Sequence, residues 1–213
     1  MITFGIYCLA AVINLASAFL FKESLRKISK GCLMPALLVF YIFNADQIIY
    51  MIIAALVFSC AGDILLIYKE KQIFFKLGLA AFLVSHICYI AAFAVMTQNF
   101  NIPALIISAA AAIPIVLIIL KWLNASPQMK IPVAVYAAVI MLMSLSALQL
   151  MLSRMELAGI LIFAGSVVYL FSDSYMSYLL FNGKPKYFNF TTMIPYIIAQ
   201  GSIVMGLAQG FNG

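Results

Sequence analysis

Charged side chains are scarce in this sequence, and acidic ones are the scarcest. Asp, Glu, Lys and Arg make up 8% of the 213 residues, with six acidic and twelve basic side chains. A typical globular chain is roughly 25% charged, so these few charges would not solvate the surface of a soluble protein. Hydrophobic residues reach 67%, which indicates that lipid is most of the solvent. We therefore expect an all-α, polytopic membrane protein.

Residues that form metal sites or disulfides are also few. The sequence has one histidine, and its four cysteines (Cys8, Cys32, Cys60 and Cys88) lie singly within or beside apolar runs, with no CxxC pair. This spacing predicts neither a disulfide framework nor a zinc site. One histidine and two scattered buried acids make a poor ligand shell, so we expect no bound metal.

A basic leader segment is missing as well. The first apolar run begins at Met1 without preceding basic residues, and no small-residue cleavage site follows it. We therefore expect a retained first helix rather than a signal peptide. The net charge of +6 does not indicate nucleic-acid binding, because Lys and Arg collect in the cytoplasmic loops of membrane proteins.

Eight apolar segments fill almost the whole chain. We predict membrane spans at about 2–21, 30–45, 48–68, 73–97, 102–123, 131–152, 157–181 and 188–209, since one span takes roughly 20 residues. The second is the shortest, because its strictly apolar stretch runs only from Leu33 to Phe43. No room is left for a soluble domain, so residues 1–213 are expected to form one bundle of eight transmembrane helices. The sequence favours neither a monomer nor a dimer.

The distribution of basic residues supports eight crossings. With eight spans, the loops after the first, third, fifth and seventh span hold eleven of the twelve basic residues, and the opposite loops hold only Arg154. If the second span did not cross, this segregation would disappear. The positive-inside rule then places both termini on the non-cytoplasmic side. We expect an integral protein of a bacterial inner (plasma) membrane.

Polar residues inside the spans form layers when their depth is counted at 1.5 Å per residue. The layer about 8–12 Å from the cytoplasmic ends contains Asp63, Tyr136, Asp173 and Tyr196, with Lys30 at the same face. His86 and Gln200 lie about one layer deeper. Tyr89 shares a helix face with His86, and Gln200 shares one with Tyr196. One polar pocket that opens toward the cytoplasm accounts for this pattern.

Each of these residues also has a structural interpretation. The two acids would then be hydrogen-bonded to a neighbouring helix, His86 and the tyrosines would be packing residues, and Lys30 would be a cytoplasmic anchor. For Asp63 and Asp173 we favour a functional interpretation, because burying an ionisable group in a membrane costs roughly 2.5–3.5 kcal/mol and two acids at matched depth need a reason. For the others, both interpretations stay open.

Two sequence blocks carry a resemblance to a known family. They are Phe58-Ser59-x-x-Gly62-Asp63-Ile64-Leu65-Leu66 and Phe75-x-x-Gly78-Leu79-x-x-Phe82-x-x-x-His86-x-x-Tyr89. Further matches are Lys30 with Met34-Pro35, Val133-x-Val135-Tyr136-Ala137, Gly165 through Phe171-Ser172-Asp173-Ser174, and Tyr196-Ile197-Ile198-Ala199-Gln200. Together they resemble the YhhN-like family, which includes the animal lysoplasmalogenases, from about residue 30 to 200. One departure is Gly31, where a proline is expected after the lysine.

The resemblance implies an eight-helix membrane enzyme that needs no cofactor. Its expected substrate is a lysophospholipid of the lysoplasmalogen type, whose vinyl ether is hydrolysed to a fatty aldehyde and glycerophospho-ethanolamine or -choline. Membrane lipid is the other expected partner. Such a bond breaks by protonation of its β-carbon, followed by capture of the oxocarbenium ion by water. One protonated acid and one ionised carboxylate suit this chemistry.

The hypothesis assigns Asp63 and Asp173 to the acid–base pair, without deciding which is the acid. His86 is the third candidate catalytic residue. The candidate substrate-binding residues are Lys30, Tyr89, Tyr136, Ser172, Tyr196 and Gln200, with Lys30 near the lipid phosphate at the cytoplasmic surface.

Two other functions remain possible on the sequence. Buried acids with a histidine also form proton relays, so a small-solute or proton-coupled transporter is the alternative. Asp63 in the third span and Asp173 in the seventh each come directly after a small residue. This spacing of four helices is a faint form of the internal repeats that transporters use. A purely structural scaffold is the third interpretation, and it leaves the layered polar residues unexplained.

Overall fold

The computed structural model describes residues 2–122 and 127–210, and within them the regular structure is entirely helical. The eight helices are α1 (Ile2–Phe19), α2 (Glu23–Asn44), α3 (Tyr50–Leu66), α4 (Gln72–Met96), α5 (Ile102–Trp122), α6 (Pro127–Arg154), α7 (Leu157–Asn182) and α8 (Phe188–Ala208). The expected all-α class and the order of eight helical segments are confirmed.

Five of these helices are long and apolar enough to cross a membrane: α1, α4, α6 from Met129, α7 and α8. Helix α3 is apolar but shorter, with 17 residues. The protein is therefore an integral membrane protein. That all eight helices cross, and on which side the termini lie, stay predictions.

Helix α2 differs from the sequence prediction at its start. The predicted span began at residue 30, whereas the helix begins at Glu23. The charged first turns are helical because Arg26 pairs with Glu23 at 2.5 Å, and its carbonyl accepts a hydrogen bond from the buried Asn14 amide on α1 at 3.0 Å. Contacts with α1 thus stabilise a segment whose charge suggested a loop.

Seven helices close a ring around the polar residues. Each helix in the ring contacts the next, in the order α1, α2, α3, α4, α6, α7 and α8, and α8 contacts α1. Helix α8 also contacts α2. Helix α5 lies outside this ring, against α6. Side chains that point inward from α2, α3, α4, α6, α7 and α8 can therefore meet in one interior.

The α7–α8 contact, the most extensive between any two described helices, depends on two glycines. A Cβ at Gly206 would lie 2.6 Å from the Ala158 carbonyl oxygen, and one at Gly165 would lie 2.9 Å from that of Ala199. The helices approach this closely because neither glycine has a side chain. Gly210 lies beyond the end of α8 at φ +65°, against Asp46.

Candidate active site

A narrow cavity inside the helix ring brings six of the predicted site residues together. Its lining includes Lys30, Asp63, Tyr136, Ser172, Asp173 and Tyr196. The cavity measures about 40 Å³, which is room for about three water molecules. These side chains come from five helices, so the site exists only in the folded bundle.

Asp63 is paired with a cation. The Lys30 ammonium on α2 lies 3.2 Å from Asp63 Oδ1, and the Tyr196 hydroxyl on α8 donates a 2.7 Å hydrogen bond to Oδ2. The carboxyl group is almost fully buried, with 1% of its side chain exposed. Both of its oxygens thus have partners, and Lys30 faces the acid rather than the membrane surface.

Asp173 has a different environment. The Tyr136 hydroxyl on α6 donates a short hydrogen bond to its Oδ2. Among the described residues, no basic side chain lies within ion-pair distance of Asp173. Two buried carboxyls therefore border one cavity, and only one of them has a cation beside it.

Tyr89 and Gln200 lie outside this cavity, in a second buried network. Tyr89 donates to Gln200 Oε1 at 3.0 Å, and Gln200 Nε2 donates to the hydroxyls of Ser59 at 3.3 Å and Tyr169 at 3.4 Å. Ser59 in turn lies 2.8 Å from Ser85. The single polar pocket expected from the sequence is therefore divided into an open cavity and a closed network below it.

His86 makes no side-chain hydrogen bond to either group. It is fully buried, and its ring packs edge-on against Tyr169 and Tyr136, at centroid distances of 4.8 and 5.5 Å. Within the described chain, neither imidazole nitrogen completes a hydrogen bond, although the backbone of Phe82, one turn earlier, interacts with the ring. The structure thus places His86 behind Tyr136 rather than in the cavity.

Several neighbours of the site were not among the sequence-predicted residues. Ser59 lies one helical turn before Asp63 within the first motif block, so its helix face pointed to it. Arg26, Lys69 and Asn189 border the mouth of the cavity. Nothing in the apolar pattern distinguishes them from other residues at helix ends.

An apolar cleft adjoins the cavity between α6 and α7. Its walls include Val133, Ala137, Ile140 and Leu170, and it shares Tyr136, Asp173 and Ser177 with the cavity. A hydrocarbon chain that lies along this cleft would have its polar end at Asp173.

A wider, charged cavity lies at the other side of the mouth, and we call it the basic vestibule. It measures about 380 Å³. Its charged lining residues are Glu23, Arg26, Lys27, Lys69, Glu70, Lys184 and Lys186, which leaves an excess of three positive charges. Arg26, Lys69 and Asn189 border both this vestibule and the acid cavity, so the two are neighbours.

No group of three His, Cys, Asp or Glu side chains in the described residues is arranged to hold a metal ion. The carboxyls on the cavity wall and the tyrosine hydroxyls that donate to them are groups that can exchange protons with water.

Comparison with known proteins gives one match. The model of the YhhN family matches residues 25–207, which include every residue named above in the acid cavity and in the closed network. No curated protein and no solved structure gives a significant match to the chain.

Proposed function

Because the chain belongs to the YhhN family, we propose that it is a lysoplasmalogenase-like hydrolase, which cleaves the vinyl ether of a lysoplasmalogen. The observation that carries the proposal is the pair of buried carboxyls on one cavity. Asp63 has a cation at ion-pair distance, and Asp173 has none among the residues that the structure describes. A family of hydrolases of this kind needs one proton donor and one ionised base in the same site.

The different partners of the two acids support an assignment of roles. An ionised carboxylate is stable in a buried site when a cation and hydrogen bonds compensate its charge, and Asp63 has both. A buried carboxyl without a cation is more stable with its proton. We therefore assign Asp173 as the acid and Asp63 as the base.

The reaction then balances without a cofactor. Asp173 gives its proton to the β-carbon of the vinyl ether, and the α-carbon becomes an oxocarbenium ion. A water molecule adds to the α-carbon while Asp63 takes its proton, which gives a hemiacetal. The hemiacetal breaks down when Asp173 removes its hydroxyl proton and Asp63 protonates the departing glycerol oxygen, so that aldehyde and alcohol leave and both acids return to their first state.

The surroundings of the acids suit a lipid substrate. The apolar cleft between α6 and α7 is small, about 20 Å³, and borders Asp173. An alkenyl chain that lies along its walls would place the vinyl ether beside the acid. The cavity itself is only about 40 Å³, so α6 and α7 must separate slightly to admit the ether group. Ser172, also on the cavity wall, is a candidate hydrogen-bond donor to an ether or glycerol oxygen.

In this proposal, the candidate residues outside the cavity do not touch the substrate and act by positioning other side chains. His86 packs behind Tyr136 and would hold its ring in place, while Tyr89 and Gln200 fix the closed network below the cavity. If His86 only positions Tyr136, then His86→Phe should keep most of the turnover. A loss as large as that of Asp173→Asn would instead give His86 a proton-transfer role.

Detergent-purified protein should release fatty aldehyde from lysoplasmenylethanolamine. We expect Asp63→Asn and Asp173→Asn each to reduce turnover by 10²-fold or more, since acid–base groups typically contribute roughly 10²–10⁴-fold. The matched control is Asp46→Asn, an exposed aspartate between α2 and α3, which should leave turnover unchanged. In D₂O, carbon 2 of the aldehyde should gain one deuterium.

Two results would contradict the proposal. Near-normal turnover in both folded site variants would remove the acids from the mechanism. Movement of intact lipid or solute across vesicles, without aldehyde release, would indicate a transporter instead.

A further inference from the structure

The charges of the basic vestibule are only partly neutralised. Arg26 pairs with Glu23 at 2.5 Å, and Lys184 pairs with Glu70 at 2.6 Å. The Lys69 ammonium lies 4.1 Å from the centre of the Phe188 ring. Within the described chain it has no carboxylate at ion-pair distance. At the point where the vestibule meets the acid cavity, Lys69 is therefore a cation with no ion-pair partner among the described residues.

Lys69 is surrounded mainly by other cations. Burial, with Lys30, Lys184 and Arg26 nearby, lowers the pKa of the Lys69 ammonium to about 7, and Glu70 opposes this only weakly. Glu23, Lys27 and Lys186 also border the vestibule, and the α8 residues on it, Phe188 and Asn189, are neutral. An anion bound here would relieve the repulsion among these cations.

Lys30 is not free to bind such an anion. Its ammonium is held by Asp63 at 3.2 Å, and its side chain is 12% exposed. The phosphate contact that the sequence suggested for Lys30 therefore needs another cation. Lys69, which borders both cavities, is the one whose position fits.

We propose that the basic vestibule binds the phosphodiester of the lysolipid head group, with the Lys69 ammonium as its principal ligand and Arg26 as a second contact. The inference rests on the proposed function for the identity of the lipid. The phosphodiester then lies at the mouth, the glycerol passes between Arg26, Lys69 and Asn189, and the ether oxygen reaches the acids.

Binding of an uncleavable analogue tests this without relying on turnover. The probe is a saturated 1-O-alkyl lysophosphoethanolamine, and the comparison ligand is the 1-O-alkylglycerol of the same chain, which lacks the phosphodiester. Wild type should bind the phosphodiester ligand more tightly. Lys69→Met should weaken binding of the phosphodiester ligand about tenfold and leave binding of the alkylglycerol unchanged. The difference in affinity between the two ligands should therefore shrink.

The control variants separate this effect from a general loss of charge or fold. Lys71→Met removes an exposed lysine two residues away and should bind both ligands as wild type does. Lys69→Arg keeps a cation and should retain the preference for the phosphodiester. A Lys69→Met protein that keeps the full preference, or that loses affinity for both ligands equally, would overturn the proposal.

The pH dependence gives a second readout. A phosphodiester stays singly charged near neutral pH, so a change in its affinity reports on the protein. Because the pKa of Lys69 is about 7, its charged form is lost as pH rises, and affinity should fall between about pH 7 and 9 in wild type. Lys69→Arg should flatten this fall. An unchanged slope in Lys69→Arg would assign the pH dependence to another group and count against Lys69.

Glycerophosphoethanolamine, which has the phosphodiester but no chain, identifies the source of the anion. Weaker binding of this compound than of the alkyl lysolipid supports a lipid ligand, and equal affinity would overturn it. The outcome is also independent of the proposed reaction. If the wild type releases aldehyde but Lys69→Met keeps the preference for the phosphodiester ligand, only the vestibule site is rejected. If Lys69→Met loses that preference but the wild type releases no aldehyde, only the hydrolase is rejected.

Discussion

A single hydroxyl group orients the carboxyl that we assign as the acid. Tyr136 donates to Asp173 Oδ2. In the proposed mechanism this leaves the second oxygen of Asp173 to carry the proton to the substrate. Tyr136→Phe should therefore lower kcat about tenfold to hundredfold with little change in KM, because the ring still fills its space. Aldehyde release over a range of substrate concentrations measures both constants.

Tyr178→Phe is the matched control for that change. Tyr178 lies on α7 and is exposed, so loss of its hydroxyl should leave both constants as they are. Turnover of Tyr136→Phe within twofold of wild type would show that Tyr136 does not position Asp173.

The Lys30–Asp63 pair predicts a stability effect at the same scale. Lys30→Met removes the cation and leaves a buried carboxylate, which should reduce stability by about 3 kcal/mol. The double variant Lys30→Met with Asp63→Asn should recover most of this loss, because no charge is then left unpaired. Thermal unfolding in detergent measures both, with Lys76→Met, an exposed lysine on α4, as the control.

A double variant no more stable than Lys30→Met alone would contradict this explanation. The loss would then come from the packing of the lysine stem rather than from the charge.

Counting residues along each span predicted which side chains share a layer, but not which of them bond. Asp63, Asp173, Tyr136, Tyr196 and Lys30 do border one cavity. Depth follows from the helix rise alone, whereas hydrogen bonding also requires the rotation of each helix about its axis and the choice of rotamer. For that reason the layer of Gln200 could be predicted, but its separation from the cavity could not, and Lys30 was predicted to lie near the surface.

At the scale of helices, the close approach of α7 and α8 makes Gly206 sensitive to substitution. In Gly206→Ala the new Cβ would meet the Ala158 carbonyl oxygen at 2.6 Å, so the helices must move apart, at a cost of about 1–3 kcal/mol. The apparent Tm in detergent should fall, and turnover should fall with it, because Asp173 on α7 and Tyr196 on α8 both depend on this contact.

Gly31→Ala is the matched control on α2. A Cβ there meets nothing within 4 Å, and alanine is the better helix former by about 1 kcal/mol. We expect equal or higher stability. A similar loss in both variants would mean that helix packing is not the cause.

Hydropathy does not predict the start of every helix. The sequence placed the start of the second membrane span at residue 30, seven residues after the helix begins, because Arg26 and Lys27 were assigned to the preceding loop. These residues are helical through contacts with α1, and such tertiary contacts do not appear in a hydropathy pattern. The starts of the strongly apolar spans at 102, 157 and 188 agree with the structure, since there the apolar run itself sets the boundary.

At the scale of the whole molecule, the prediction is that all eight helices cross the membrane. The ring of helices places Arg26, Lys69 and Lys184 around one vestibule, while Asp46, Gln98 and Arg154 border a cavity of their own. Eight crossings would put these two groups on opposite faces, with the basic group in the cytoplasm. Even α3, with 17 residues, spans about 26 Å, close to the roughly 30 Å of the bilayer core.

Single-cysteine labelling tests this topology in a variant whose four native cysteines are replaced by alanine. Lys71→Cys and Lys186→Cys should react with an impermeant maleimide only in inverted vesicles, and Asp46→Cys and Gln98→Cys only in intact cells. Labelling of Asp46→Cys from the cytoplasmic side would show that α2 does not cross. The charge segregation would then have another cause, and the basic vestibule would lose its assignment to the cytoplasmic face.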